Sequence, residues 1–133
     1  MDKLFTRAEA NALLPTLRPL LSQLRVLRQE SLRLDEDLRA LHWKARGNGH
    51  DALDEALTQV QRQREQVNTT LGEQVDRIHA MGVVVKDLDA GLVDFPWLHG
   101  GRVAYLCWKL GEPSVDWWHD IDAGYAGRQR LDP

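Results

Sequence analysis

Leucines recur at alternating steps of four and three residues through the first third of the chain. Leu13, Leu17, Leu20, Leu24, Leu27, Ser31, Leu34, Leu38 and Leu41 form one heptad seam with a single polar member. A second seam follows in Leu53, Leu57, Val60, Arg64, Val67, Leu71, Val75 and Ile78. Gly47-Asn48-Gly49 between them is a turn signal. Asp51 suits the N-cap of the second helix, and Gly82 suits a stop after Met81. Two helices of about thirty residues joined by so short a turn pair antiparallel, each roughly 45 Å long at 1.5 Å per residue. Ser31 and Arg64 interrupt the seams and read as a polar layer that sets register.

The start of the first helix is marked by Thr6 and Glu9, the two ends of a capping box. This box opens a short helix from Arg7 to about Leu14. Pro15 and Pro19 follow, each lacking an N–H and crowding the preceding turn, so the spacing predicts a break or kink between 14 and 19. Leu14, Leu21, Val26 and Leu32 lie off the main seam and need cover. An aromatic tail covers one end of the hairpin, and a second copy of the chain covers the rest, so a homodimer is expected.

The chain changes character at Gly82. The fifty or so residues beyond it hold four of the five tryptophans, both tyrosines and the single cysteine. The β-branched run 82–88 reads as a strand, followed by a turn at Asp89-Ala90-Gly91 and a second short strand, Leu92 to Phe95, stopped by Pro96. After a turn at His99-Gly100-Gly101 comes the strongest strand, Arg102 to Leu110. Gly111-Glu112-Pro113 turns the chain into a last strand, Ser114 to His119, and Asp120 to Pro133 reads as irregular. Such short connections imply an antiparallel meander. The predicted class is α+β, a long antiparallel helical hairpin over 1–81 followed by a small aromatic-rich β subdomain over 82–133, packed on one end of the hairpin.

Composition bounds the rest. A chain of 133 residues with 43% hydrophobic and 28% charged residues suits one soluble domain. No apolar run reaches the ~20 residues that span a bilayer, and the first residues lack the apolar core of a signal peptide. One cysteine cannot form an internal disulfide, which fits a reducing cytoplasm. A net charge of -3 gives no general attraction for nucleic acid.

Two sets of residues resemble a known family. One is Phe5-Thr6, Glu9-Ala10-Asn11 and Leu14-Pro15, with Gly82-Val83, Lys86-Asp87 and Gly91 to Pro96. The other is Tyr105 to Trp108, Gly111-Glu112-Pro113, Trp117-Trp118-His119 and Asp122 to Arg128. Together they resemble the short prokaryotic cytosolic proteins known as domain of unknown function 2203, over nearly the whole chain. The resemblance implies a free-standing cytosolic protein, and it carries no activity and no catalytic residue.

Groups able to bind or catalyse crowd the tail: Asp87, Asp94, His99, Arg102, Cys107, Glu112, His119, Asp120, Asp122 and Arg128. His119 with Asp120 and Asp122 offers an imidazole and two carboxylates, a set that suits a divalent metal such as Zn, Mn or Fe. Glu112 joins them only if the chain bends back through Pro113, because an extended strand holds it roughly 20 Å from His119. Cys107, between Leu106 and Trp108, reads as a buried thiol. No P-loop, dinucleotide glycine motif or GxSxG occurs. Trp97, Trp117 and Trp118 supply the apolar area of an interaction surface, with Trp117 and Trp118 on opposite faces of a strand. Trp43, beside Lys44, Arg46 and His50 at the hairpin tip, is a further contact candidate.

Three functions follow. The first is a non-enzymatic homodimer that binds a protein partner through its aromatic surface. The second is a small enzyme, dependent on a divalent metal or binding a small molecule, with its site at Glu112, His119, Asp120 and Asp122. The third rests on shape: a hairpin that inserts into RNA polymerase, with Asp51, Asp54 and Glu55 beside its tip.

Overall fold

A computed structural model of the chain describes residues 3–47 and 51–133. Two long helices, α1 (Arg7–Ala45) and α2 (Asp51–Ala80), precede a five-stranded antiparallel sheet. Its strands are β1 (Val84–Asp87), β2 (Leu92–His99), β3 (Arg102–Lys109), β4 (Trp117–His119) and β5 (Gln129–Arg130), in that spatial order. The class is therefore α+β, a helical hairpin and then a β-meander. Of the expected turn at Gly47-Asn48-Gly49, Asn48 and Gly49 lie outside the described residues, as do His50 and the side chain of Asp51, the proposed cap.

The chain divides into two compact units, one of Met1–Arg25 with Gln74–Pro133 and one of Val26–Glu73. In the first unit the capping box forms as expected. Thr6 N donates to Glu9 Oε1 at 2.9 Å, and Glu9 N donates to Thr6 Oγ1 at 3.1 Å. These bonds, the backbone one first, hold the Glu9 carboxyl below its ordinary value.

The expected break at 14–19 does not occur: Pro15 and Pro19 both lie inside α1. Both rings are exposed. The carbonyls they leave without a helical partner, of Asn11 and Pro15, can thus be satisfied by water, and the helix runs on. Leu14 and Leu21, placed off the seam, are fully buried with Ala10, Leu17 and Leu24, whereas the seam members Leu13 and Leu20 are half-buried. The first turns of α1 lie against the sheet as well as beside α2, so the buried stripe is rotated from the heptad line.

Strand boundaries differ from expectation for identifiable reasons. Pro96 does not stop β2, which runs through it to His99. β1 pairs only as far as Asp94, so beyond that point this side of β2 has no strand neighbour. The Pro96 carbonyl points to that side and accepts from Phe5 N at 2.7 Å. The missing Pro96 N–H would have pointed the same way, away from β3, so no ladder bond is lost. The last predicted strand shrinks to Trp117–His119 because α1 side chains take the backbone before it. Val115 N donates to Asn11 Oδ1 at 2.7 Å, and the Val115 carbonyl accepts from Arg7 Nε at 2.9 Å. The tail expected to be irregular carries a 3₁₀ turn (Tyr125–Gly127) and β5, which pairs Trp117 with Arg130 and Trp118 with Gln129.

The register gives the sheet two distinct faces. Val93, Phe95, Leu106 and Trp108 share the face turned to the helices, and all four are fully buried. Phe5 packs edge-on to Phe95 at 5.3 Å, and the Arg18 guanidinium lies over Trp108 at 5.9 Å. Asp94, Cys107 and His119 share the opposite face.

Two glycines hold positive φ where the chain turns into and out of β1, Gly82 (90°) and Gly91 (66°). A Cβ on Gly91 would stand 2.7 Å from Leu110 Cβ. Gly91→Ala is expected to cost on the order of 2 kcal/mol through backbone strain and this clash. Urea denaturation measures it, and an unchanged midpoint would contradict the described turn.

Candidate functional site

The sheet brings three chemically apt side chains together on the face away from the helices. Asp94 on β2 stands directly opposite Cys107 on β3. His119 on β4 stands opposite Tyr105, two residues along β3 from Cys107 and on the same face. Their ligand atoms all lie within 4.8 Å of one another, and the three residues are 1%, 0% and 2% exposed in that order. His119 Nε2 is 3.0 Å from each Asp94 oxygen, and Nδ1 is 2.8 Å from the Asp120 carbonyl. That carbonyl only accepts, so Nδ1 carries a hydrogen. Burial, with the Asp94 charge beside it, pushes the Cys107 thiol up to about 12. At neutral pH the thiol is protonated and has neither the charge nor the access of a nucleophile.

The C-terminal loop lies over this face. Arg128 Nη2 donates to both Glu112 oxygens, at 2.7 and 2.9 Å, and to the Cys107 carbonyl at 3.4 Å. Its guanidinium sits over Tyr125 at 4.8 Å and over Trp117 at 4.9 Å. Burial opposes the charge on Arg128, but the Glu112 hydrogen bond and charge outweigh it and hold the group above its ordinary value. Glu112 also accepts from Lys109 N at 2.7 Å. Tyr105 adds an aromatic wall 5.6 Å from the His119 ring, with Lys86 over its other neighbourhood at 5.4 Å.

The four expected metal ligands are therefore dispersed. His119 joins Asp94 and Cys107, Asp120 pairs with Arg102 at 2.8 Å, Glu112 holds Arg128, and Asp122 is exposed. Asp94 and Cys107 stood among the apt residues of the tail, but nothing in their spacing linked them to His119. The available signal was a charged residue between Val93 and Phe95 in an apolar strand.

The tryptophans separate by face as expected. Trp118 lies 5.8 Å from Trp97 and 4.4 Å from His99, and Trp97 stacks on His99 at 4.7 Å. These three rings border a cavity of about 320 Å³ with Arg7, Leu131 and Asp132. Arg7 is itself committed, to Asp116 at 3.0 Å and to the Asp132 carbonyl at 2.7 Å. Trp117, on the other face, sits between Arg128 and Arg130. In the second unit Trp43 is 72% exposed, with the Arg46 guanidinium 5.3 Å from its ring, and Asp54 and Glu55 are exposed.

A family model described as an uncharacterized conserved protein, DUF2203, matches residues 3–131. The chain belongs to the DUF2203 family. Comparison with curated proteins and with solved structures returned no match. The buried Asp94–Cys107–His119 cluster and the ring cluster around Trp97 are thus the sites that this DUF2203 chain itself presents. Among the described residues, no helix is long and apolar enough to cross a membrane.

Three outcomes check this geometry. Native protein at pH 8 should leave Cys107 unreactive to an aromatic disulfide reagent until denaturant is added; equal rates with and without denaturant would contradict its burial. Favouring the neutral thiol contributes stability that is fully present below pH about 9 and is lost as pH rises towards about 12. Asp94→Ala should cost on the order of 3 kcal/mol in urea denaturation, because it leaves His119 Nε2 and the thiol buried without their partner.

Proposed function

We propose that this DUF2203 chain is a non-enzymatic interaction protein that works as a homodimer joined through the hairpin segment Val26–Glu73. One observation carries the reading. Among the described residues of that segment, Leu34 and Leu38 are the only apolar side chains that become buried. The α2 seam members Leu53, Leu57, Val60, Val67 and Leu71 stay half-exposed, and Val26 and Leu32 are exposed.

Helices in water owe most of their stability to a covered apolar face, and two buried leucines are little cover for a 48-residue unit. A second copy packed against the same seam makes a four-helix arrangement in which these positions become core. Two polar contacts pin the register of the hairpin. Ser31 Oγ donates to Asn68 Oδ1 at 2.7 Å, and Arg64 pairs with Asp35 at 2.6 Å. The ring cluster of Trp97, His99 and Trp118 supplies the aromatic anchor type on which partner surfaces concentrate their binding energy. A cytosolic location belongs to the same reading.

Sedimentation equilibrium of the full chain tests it. The expected result is a dimer that Val60→Glu with Val67→Glu dissociates, raising the dimer Kd by at least about 100-fold, equivalent to roughly 2.7 kcal/mol. Tryptophan fluorescence should stay native in this variant. A wild-type chain that is monomeric at the highest attainable concentration would overturn the proposal.

A further inference from the structure

The buried cluster gathers three metal-ligating side chains around one point. His119 Nδ1 is committed to the Asp120 carbonyl, so only Nε2 faces the other two groups. Nε2 stands 3.0 Å from both Asp94 oxygens, aimed between them rather than at one. A cation held at that point would take both groups as ligands, and Cys107 Sγ lies within 4.8 Å of both.

The donor set narrows the choice of cation. Thiolate, imidazole and carboxylate together suit borderline-soft Zn²⁺, whereas Ca²⁺ and Mg²⁺ favour oxygen. An Nδ1–H bonded to a backbone carbonyl is the contact that commonly orients a ligating histidine through Nε2. Charge also balances. One carboxylate and one thiolate neutralise a dication, and Arg128 is already matched by Glu112. The three ligands stand on adjacent strands whose register fixes their separation before any ion arrives.

We propose that Asp94, Cys107 and His119 form a three-ligand Zn²⁺ site that ties β2, β3 and β4 together beneath the C-terminal loop. Binding is an exchange without redox change. Zn²⁺ displaces the S–H proton of Cys107 and any hydrogen on His119 Nε2, Zn–S and Zn–N bonds form with the carboxylate, and at least one proton leaves for each Zn²⁺. The site is independent of the dimer reading and stands or falls without it.

Metal-free full-length protein titrated with Co²⁺ tests the site. The expected result is one equivalent bound with a thiolate-to-cobalt charge-transfer band, release of at least one proton per ion, and loss of the band on adding one equivalent of Zn²⁺. His42→Ala and His79→Ala, at exposed histidines, should leave the band unchanged. Cys107→Ser should abolish it and weaken binding at least about 100-fold, with far-ultraviolet circular dichroism confirming that the variant is folded. If that variant fails to fold, the wild-type band, its proton count and the two exposed-histidine controls still decide. Folded wild-type protein that takes up no stoichiometric Co²⁺, or takes it up without the thiolate band, overturns the assignment.

Discussion

The pairing of β2 with β3 decides what every other element can meet. Eight consecutive residue pairs run from Leu92–Lys109 to His99–Arg102 without a shift. Because side chains alternate along a strand, a slip of one residue in either strand would change which of its groups meet the helices. In this register Phe95 and Leu106 reach the helices, while Asp94 and Cys107 stand side by side beneath the C-terminal loop. Apolar burial on one face therefore specifies the polar cluster on the other. Phe95, Leu106 and Trp108 have nowhere else to go, and the acid and thiol inherit their positions.

The second determinant is the seizure of the β3–β4 connection by α1. Arg7, Asn11 and Arg18 lie along the first turns of the helix and bond Val115, Asp116 and the Pro113 carbonyl. These bonds satisfy backbone groups that a longer strand would have paired, and they turn the loop so that β4 starts at Trp117. His119 then falls opposite Tyr105, within reach of Asp94. A helix whose sequence reads as a seam for another helix thus also places a histidine on a sheet.

What could be read from residue order depended on how local its cause was. The capping box at Thr6 and Glu9 needs only three residues of chain and forms as expected. The hairpin turns follow their glycines, and Trp117 and Trp118 take opposite faces. Proline was harder, because its penalty depends on its surroundings. Pro15 and Pro19 lie on an exposed side of α1, and Pro96 points its missing donor away from β3. The metal-ligand candidates show the same limit more sharply. Sequence proximity grouped His119 with Asp120 and Asp122, but a strand sends neighbours to different places. The true neighbours of His119 come from two other strands, and cross-strand register is set by packing that no short motif encodes. The half-buried α2 seam belongs to the same class, since periodicity marks an apolar stripe without saying how many chains cover it.

The order in which the chain is made acquires meaning from the bonds of Arg7. Its guanidinium reaches the Asp132 carbonyl and Asp116, and Phe5 N reaches Pro96. During synthesis these groups emerge long before their partners, by roughly 6–25 s for Asp132 at 5–20 residues per second. The hairpin segment, whose contacts are local, can form in the interval. The apolar stripe of Ala10, Leu14, Leu17 and Leu21 must meanwhile wait for a sheet that does not yet exist. A nascent chain of this kind carries an uncovered apolar helix face through most of its own translation.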